Sequence, residues 1–245
     1  MSVWGKIIGG VAGFAVGGPL GAILGTAFGH AVDRQRAHKF DQNTPDSIQA
    51  RQTAFTVAVV VLSAKMAKAD GHVTRDEVDA FKRIFEIPEN EMPDIGRLFN
   101  EARQDSKGFE PYAKQIGDMF AHDQAVLENL LGGLFQIALA DSIVHPSEIK
   151  FLKKIAGSFG LSNTDFERIQ SAHMGVNNAD PYQVLGITHD TSNGDIKKAY
   201  RKLSRENHPD TLIAKGMPQE FVDVANEKMA SINAAYDVVR KTRAF

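Results

Sequence analysis

From Ile7 to Phe28 the chain carries no charge, and glycine returns at every fourth position, at Gly5, Gly9, Gly13, Gly17, Gly21, Gly25 and Gly29. As a helix this run spans about 33 Å, enough for a bilayer core of about 30 Å. In water each glycine would cost such a helix about 1 kcal/mol relative to alanine. In lipid the alternative is unsatisfied backbone, and small residues at this spacing let two helices approach closely. The pattern predicts a transmembrane helix over residues 1–33 that pairs with a second copy through Gly9, Gly13, Gly17, Gly21 and Gly25. A step of four advances about 40° around the helix, so the row spirals and suits a right-handed crossing. Pro19 predicts a kink near the middle. A hairpin turning at Gly17-Gly18-Pro19 competes, but each arm is too short to cross; a secretory signal competes too, but its apolar core is usually shorter.

Flanking charge gives the orientation. Arg34, Arg36 and Lys39 follow the run, and only Lys6 and the α-amino group precede it. Basic residues stay in the cytoplasm, which predicts a single pass with the N-terminus periplasmic. Residues 34–47 read as a polar linker.

Residues 48–173 show helical spacing and no convincing strand alternation. Gln52–Ala64 and Asn129–Ala140 are uncharged but too short to span a membrane, so they are expected as buried core helices. Two segments resemble each other: Ala67-Lys68-Ala69-Asp70-Gly71 with Val73 and Glu77, and Ala138-Leu139-Ala140-Asp141-Ser142 with Val144 and Glu148. Each is an apolar helix end, an aspartate, a short turn and a glutamate, which suggests two related helical pairs about a pseudo-twofold axis. Four carboxylates in equivalent places (Asp70, Glu77, Asp141 and Glu148) are a candidate divalent-metal set, since hard cations take oxygen ligands. Helix capping is the competing explanation. Thr74 to Glu77 forms a capping box, and Pro146 and Glu148 suit the first and third positions of a helix.

A linker over 174–179 leads into residues 180–245. Asp180-Pro181 is a helix start, and Ser192 with Asp195 approximates a capping box. Ile196, Ala199, Tyr200 and Leu203 share one helix face; Lys197, Lys198, Arg201, Lys202 and Arg205 cover the other. Pro209 has no backbone N–H and pushes His208 out of the helical region, so this helix stops there. His208, Pro209 and Asp210 are then expected in a loop at the end of a cationic rod. Phe221, Val224, Ala225, Ile232, Ala235, Tyr236 and Val239 form a second apolar stripe, with Pro218 as its start. Two long helices can pack antiparallel, braced by a short one. The fold class expected for the whole chain is all-α.

The 245 residues carry a net charge of −2, which gives no global pull toward nucleic acid. There is no cysteine, which excludes disulfides, a zinc ribbon and a thiol nucleophile. No nucleophile motif or phosphate loop accompanies His208 and Asp210, so no catalytic site is expected.

The order Asp-Pro-Tyr-Gln-Val-Leu-Gly (180–186), Asp-Ile-Lys-Lys-Ala-Tyr-Arg-Lys-Leu (195–203), His-Pro-Asp (208–210) and Ile-Asn-Ala-Ala-Tyr (232–236) resembles the J-domain of DnaJ-like co-chaperones. The resemblance implies that His208, Pro209 and Asp210 signal to a DnaK-type chaperone and speed its ATP hydrolysis. Lys197, Lys198, Arg201, Lys202 and Arg205 would be the docking face. Thr211 stands where many J-domains carry lysine, and the family's fourth helix is absent or a stub. The middle segment resembles the TerB-like helical domain of tellurite-resistance proteins, in which such acidic positions are associated with metal. All three parts together, with His-Pro-Asp-Thr-Leu-Ile-Ala-Lys-Gly-Met-Pro (208–218), resemble the membrane-anchored DnaJ-like protein A family. That family implies a bacterial inner-membrane co-chaperone with no cofactor of its own. The alternative function is a metal-binding envelope-stress sensor whose output is the J-domain.

Overall fold

A computed structural model describes residues 45–69, 75–84, 87–90, 92–104, 108–140, 144–174 and 180–245. The glycine row lies outside the described residues. Among the described residues seven helices make a middle module: α1 (Pro45–Ala69), α2 (Arg75–Ile84), α3 (Met92–Ala102), α4 (Glu110–Met119), α5 (Gln124–Ala138), α6 (Pro146–Ser158) and α7 (Asn163–Met174). A C-terminal module follows with α8 (Pro181–Val184), α9 (Asn193–Glu206), α10 (Pro209–Ala214), a 3₁₀ turn (Gln219–Phe221) and α11 (Val222–Arg243). The described residues contain no strand, and the chain is all-α. α1 begins at Pro45, inside the stretch expected to be linker.

The middle module is built around α1, which packs on α3, α4, α5 and α6. Almost every residue from Ala54 to Ala67 is buried. A helix apolar on all sides belongs in a core, as the uncharged run Gln52–Ala64 implied. Val57 to Val61 favour strands in isolation, and burial overrides that preference. Thr53 and Thr56 are buried without orphaned hydroxyls, because each donates to the carbonyl one turn back, Gln49 and Gln52, at 2.9 Å. α5 is the second core helix, buried from Val126 to Ala138 on nearly every face. Among the described residues no helix is long and apolar enough to cross a membrane.

In the C-terminal module the sequence signals act locally as written. The Asp180 carboxylate accepts from the Tyr182 N–H at 3.0 Å and opens α8. Ser192 accepts from the Asp195 N–H at 3.2 Å and opens α9. Tyr200 stacks on Tyr236 at 4.0 Å, joining α9 to α11. Arg243 closes the module, donating to the Tyr182 hydroxyl at 3.0 Å and to the Thr191 carbonyl at 2.9 Å.

Two expectations change. Pro209 and Asp210 do not lie in a loop; they form the first turn of α10, with His208 as its N-cap. Proline ends α9, but at the first position of a new helix its missing N–H costs nothing. The apolar stripe of α11 also does not serve one hairpin. Ile232, Ala235 and Val239 pack with Tyr182, Leu185 and Ile196. Leu212, Met217, Phe221 and Ala225 belong instead to the core of the middle module.

Candidate functional site

α9 delivers its basic face and the tripeptide as one continuous feature. Lys197, Lys198, Arg201, Lys202 and Arg205 are all exposed. Lys198 pairs with Asp195 at 2.9 Å, a contact within one helical turn that also holds the Asp195 carboxyl below its ordinary value. The Lys197 ammonium lies 5.0 Å from the centre of the Phe245 ring. Arg201, Lys202 and Arg205 form no ion pair among the described residues and remain available to an acidic surface.

At the end of α9 the backbone turns sharply. His208 has extended backbone geometry, and its Nδ1 accepts the Asp210 N–H at 3.2 Å. That bond puts the neutral ring's proton on Nε2, the nitrogen left for a partner. The side chains of His208 and Asp210 are 56% and 90% exposed. The arrangement presents shape and charge at the end of the basic helix.

The residues on either side of the tripeptide are held by the middle module. Asn207 is buried, and its Oδ1 accepts from Asn129 Nδ2 of α5 at 3.3 Å. Beyond the tripeptide, Leu212 and Met217 are fully buried, and Phe221 stands edge-on to Phe55 at 4.7 Å. Between them, Lys215 reaches Asp123 at 3.4 Å, and Asp123 also pairs with Arg51. Gly216 lies against Arg51 with φ of +101°, where a side chain would meet Arg51 Cβ.

A second ionic contact joins the modules further along α11. Glu128 of α5 takes Arg168 of α7 at 2.6 Å and Lys228 of α11 at 2.7 Å. Burial alone would raise the Glu128 carboxyl, but Lys228 and Arg168 outweigh it and bring it to about 2. Burial holds Lys228 below the ordinary lysine value; Glu128 opposes that and Arg168 adds to it. Burial, with Lys228 adding, lowers His173 to about 4 and keeps it neutral. Beyond this triad the modules part around a crevice of about 950 Å³, lined by Ala234, Ala235 and Val238 on one side and Leu139 and His173 on the other.

Of the candidate metal ligands, Asp70 and Asp141 lie outside the described residues, as does the Glu77 side chain. Glu148 is buried and accepts the His145 N–H at 2.9 Å, the capping role that Pro146 and Glu148 allowed. Among the described residues no three histidine or carboxylate side chains gather as a metal site would need. The contacts made by Asn129, Arg51 and Glu128 were not anticipated from sequence. Their one signal is a polar or charged residue inside an otherwise apolar helix.

Three family models match the chain in order: the Co-chaperone DjlA transmembrane domain over residues 1–45, Tellurite resistance protein TerB over 56–171, and the DnaJ domain over 180–244. Co-chaperone protein DjlA of Photobacterium profundum is 33% identical, with 99% of this chain and all of that protein aligned. The Haemophilus influenzae protein of the same name is 29% identical over 99% of both chains. That of Coxiella burnetii is 28% identical over 98% of this chain and 97% of its own. No solved structure matches. A relative one-third identical from end to end, with anchor, helical middle and J-domain in the same sequence, means that the chain belongs to the DjlA family of membrane-anchored co-chaperones.

Proposed function

We propose that His208, Pro209 and Asp210 trigger ATP hydrolysis in a DnaK-type chaperone, which first docks on Lys197, Lys198, Arg201, Lys202 and Arg205. The chain is a J-domain co-chaperone, and stimulating a DnaK-type ATPase is the general role of that domain. The family regulates another protein's catalysis, and on this reading the chain needs no active site of its own. The observation that carries the reading is the exposure of His208 and Asp210 beside an open basic face, although Asn207 before them and Leu212 after them are buried. Charge on such a face gives speed and orientation more than affinity.

The chain acts from a membrane. Positive charge after the anchor supports a single pass with the N-terminus periplasmic and both modules cytoplasmic, where ATP is available. The glycine row supports a homodimer in the bilayer. The sensor reading, with a divalent cation at Asp70, Glu77, Asp141 and Glu148, has the sequence repeat and the likeness to TerB behind it, and the capping bond of Glu148 weighs against it.

The test uses the full chain in lipid vesicles with its cognate DnaK-type chaperone. Wild type raises the chaperone's ATPase rate and His208→Gln does not; a wild type without effect removes the reading. The chain has no cysteine, so single cysteines placed before and after the anchor report orientation by labelling with an impermeant thiol reagent. Calorimetry with Ca²⁺, Mg²⁺ and Zn²⁺ decides the sensor reading, which an absence of heat ends.

A further inference from the structure

The tripeptide, with His208 and Asp210 exposed and Pro209 half-buried, lies between two buried posts. On the incoming side, Asn207 is the C-cap of α9, and its backbone N–H donates to the Leu203 carbonyl at 2.9 Å. Its Nδ2 donates to the same carbonyl at 3.0 Å. The side chain is therefore fixed, and Oδ1 is left to accept from Asn129. Asn129 is equally constrained, because its Nδ2 also donates to Ala125 O at 2.7 Å, within α5. On the outgoing side, the Leu212 N–H donates to the His208 carbonyl at 3.0 Å, and the Leu212 side chain is fully buried in the middle module's core.

Apolar burial of Leu212, Met217 and Phe221 holds the segment against the middle module but leaves its rotation loosely defined, because hydrophobic contact is non-directional. A buried amide pair is directional. Its donor and acceptor meet in one arrangement, and losing it leaves the Asn207 Oδ1 unpaired away from water, beside an Asn129 Oδ1 that already has no partner. The Asn129–Asn207 bond is the directional contact nearest the tripeptide, one residue before His208, and its donor belongs to the other module.

We propose that Asn129 is a positioning residue for the co-chaperone reaction: its hydrogen bond to Asn207 sets the direction in which His208 and Asp210 leave α9. The middle module is then part of the signalling device as well as the body that carries it. This rests on the reading that the tripeptide drives the chaperone's ATPase.

The experiment measures ATPase stimulation against concentration, with the full chain in lipid nanodiscs. Asn129→Leu keeps the volume and removes the donor. The basic face is untouched, so the half-saturating concentration stays that of wild type. Maximal stimulation falls about fivefold, the ratio that one net hydrogen bond makes to a conformational equilibrium. Hydrogen exchange at the Asp210 and Leu212 amides quickens, while that in the middle of α1 does not change. Asn129→Ala and Asn207→Ala, which also shrink the side chains, complete a cycle: each lowers the maximum by a similar factor, and the double variant lowers it no further. Wild-type maximal stimulation by folded Asn129→Leu overturns the proposal, as does a double variant whose two losses multiply. If wild type itself gives no stimulation, the reading of the tripeptide falls and the positioning role with it. If wild type stimulates and the Asn129 variants match it, the positioning role alone falls.

Discussion

Truncating Phe221 to alanine tests whether the J-domain and the middle module share one core. Phe221 is 1% exposed and stands edge-on to Phe55, a fully buried residue of α1 that also contacts Phe120 at 6.2 Å. Removing such a ring costs about 3–5 kcal/mol, as lost transfer energy and as a cavity that α1 cannot close. For some two hundred folded residues this lowers the unfolding midpoint by about 10 °C. The cavity opens inside the middle module's core, so the loss extends beyond the J-domain. The assay is thermal unfolding of the full chain in nanodiscs, followed by pulsed hydrogen exchange and mass spectrometry of peptides from α5 and α9. In Phe221→Ala both peptides lose protection together at the lowered midpoint. An α9 peptide that opens early while α5 keeps its wild-type midpoint would refute the shared core.

Three further outcomes follow from the same contacts. Gly216→Ala forces a side chain into left-handed backbone and within 2.7 Å of Arg51 Cβ, and urea unfolding should register a loss of about 2 kcal/mol. Arg201→Glu slows association with the chaperone about tenfold at low ionic strength in stopped-flow mixing, and the difference shrinks as salt is added; salt-insensitive association would remove the docking role of the basic face. Acidification destabilises the chain in two steps. His173, lowered from 6.5 to about 4, contributes stability that is complete above pH 6.5 and lost as pH falls toward 4. Glu128, lowered from 4.5 to about 2, contributes stability above pH 4.5 that is lost as pH falls toward 2. His173→Phe should flatten the first step by about 2 kcal/mol, discounted for the partly exposed ring, and an unchanged pH profile would contradict the assignment.

The sequence was informative about local structure and burial, and much less so about which surfaces meet. Uncharged runs at Gln52–Ala64 and Asn129–Ala140 identified α1 and α5 as core helices, because a helix without a polar face must be covered on every side. Asp180, Ser192 and Pro146 marked helix starts through bonds made within a few residues. The apolar residues Leu212, Met217 and Phe221 could not be assigned a partner, since periodicity says that a face is buried and not against what. Arg51 and Asp123, or Glu128 and Lys228, are far apart in the chain, and only the fold brings them together. Pro209 was legible as the end of α9 but not as the start of α10, because the same missing N–H serves both. The tripeptide and the basic face follow from local pattern, whereas the two posts that hold them are tertiary.

If His208, Pro209 and Asp210 trigger the chaperone's ATPase, they meet it while their flanks stay seated on the middle module. Hydrogen exchange of the full chain in nanodiscs, with and without the ATP-bound DnaK-type partner, tests it most directly. Added protection over residues 197–210, with 124–131 and 212–225 as protected as before, is the predicted footprint. Loss of protection over 212–225 on binding would mean that the J-domain lifts off to act, and an unchanged 197–210 would mean that the partner docks elsewhere.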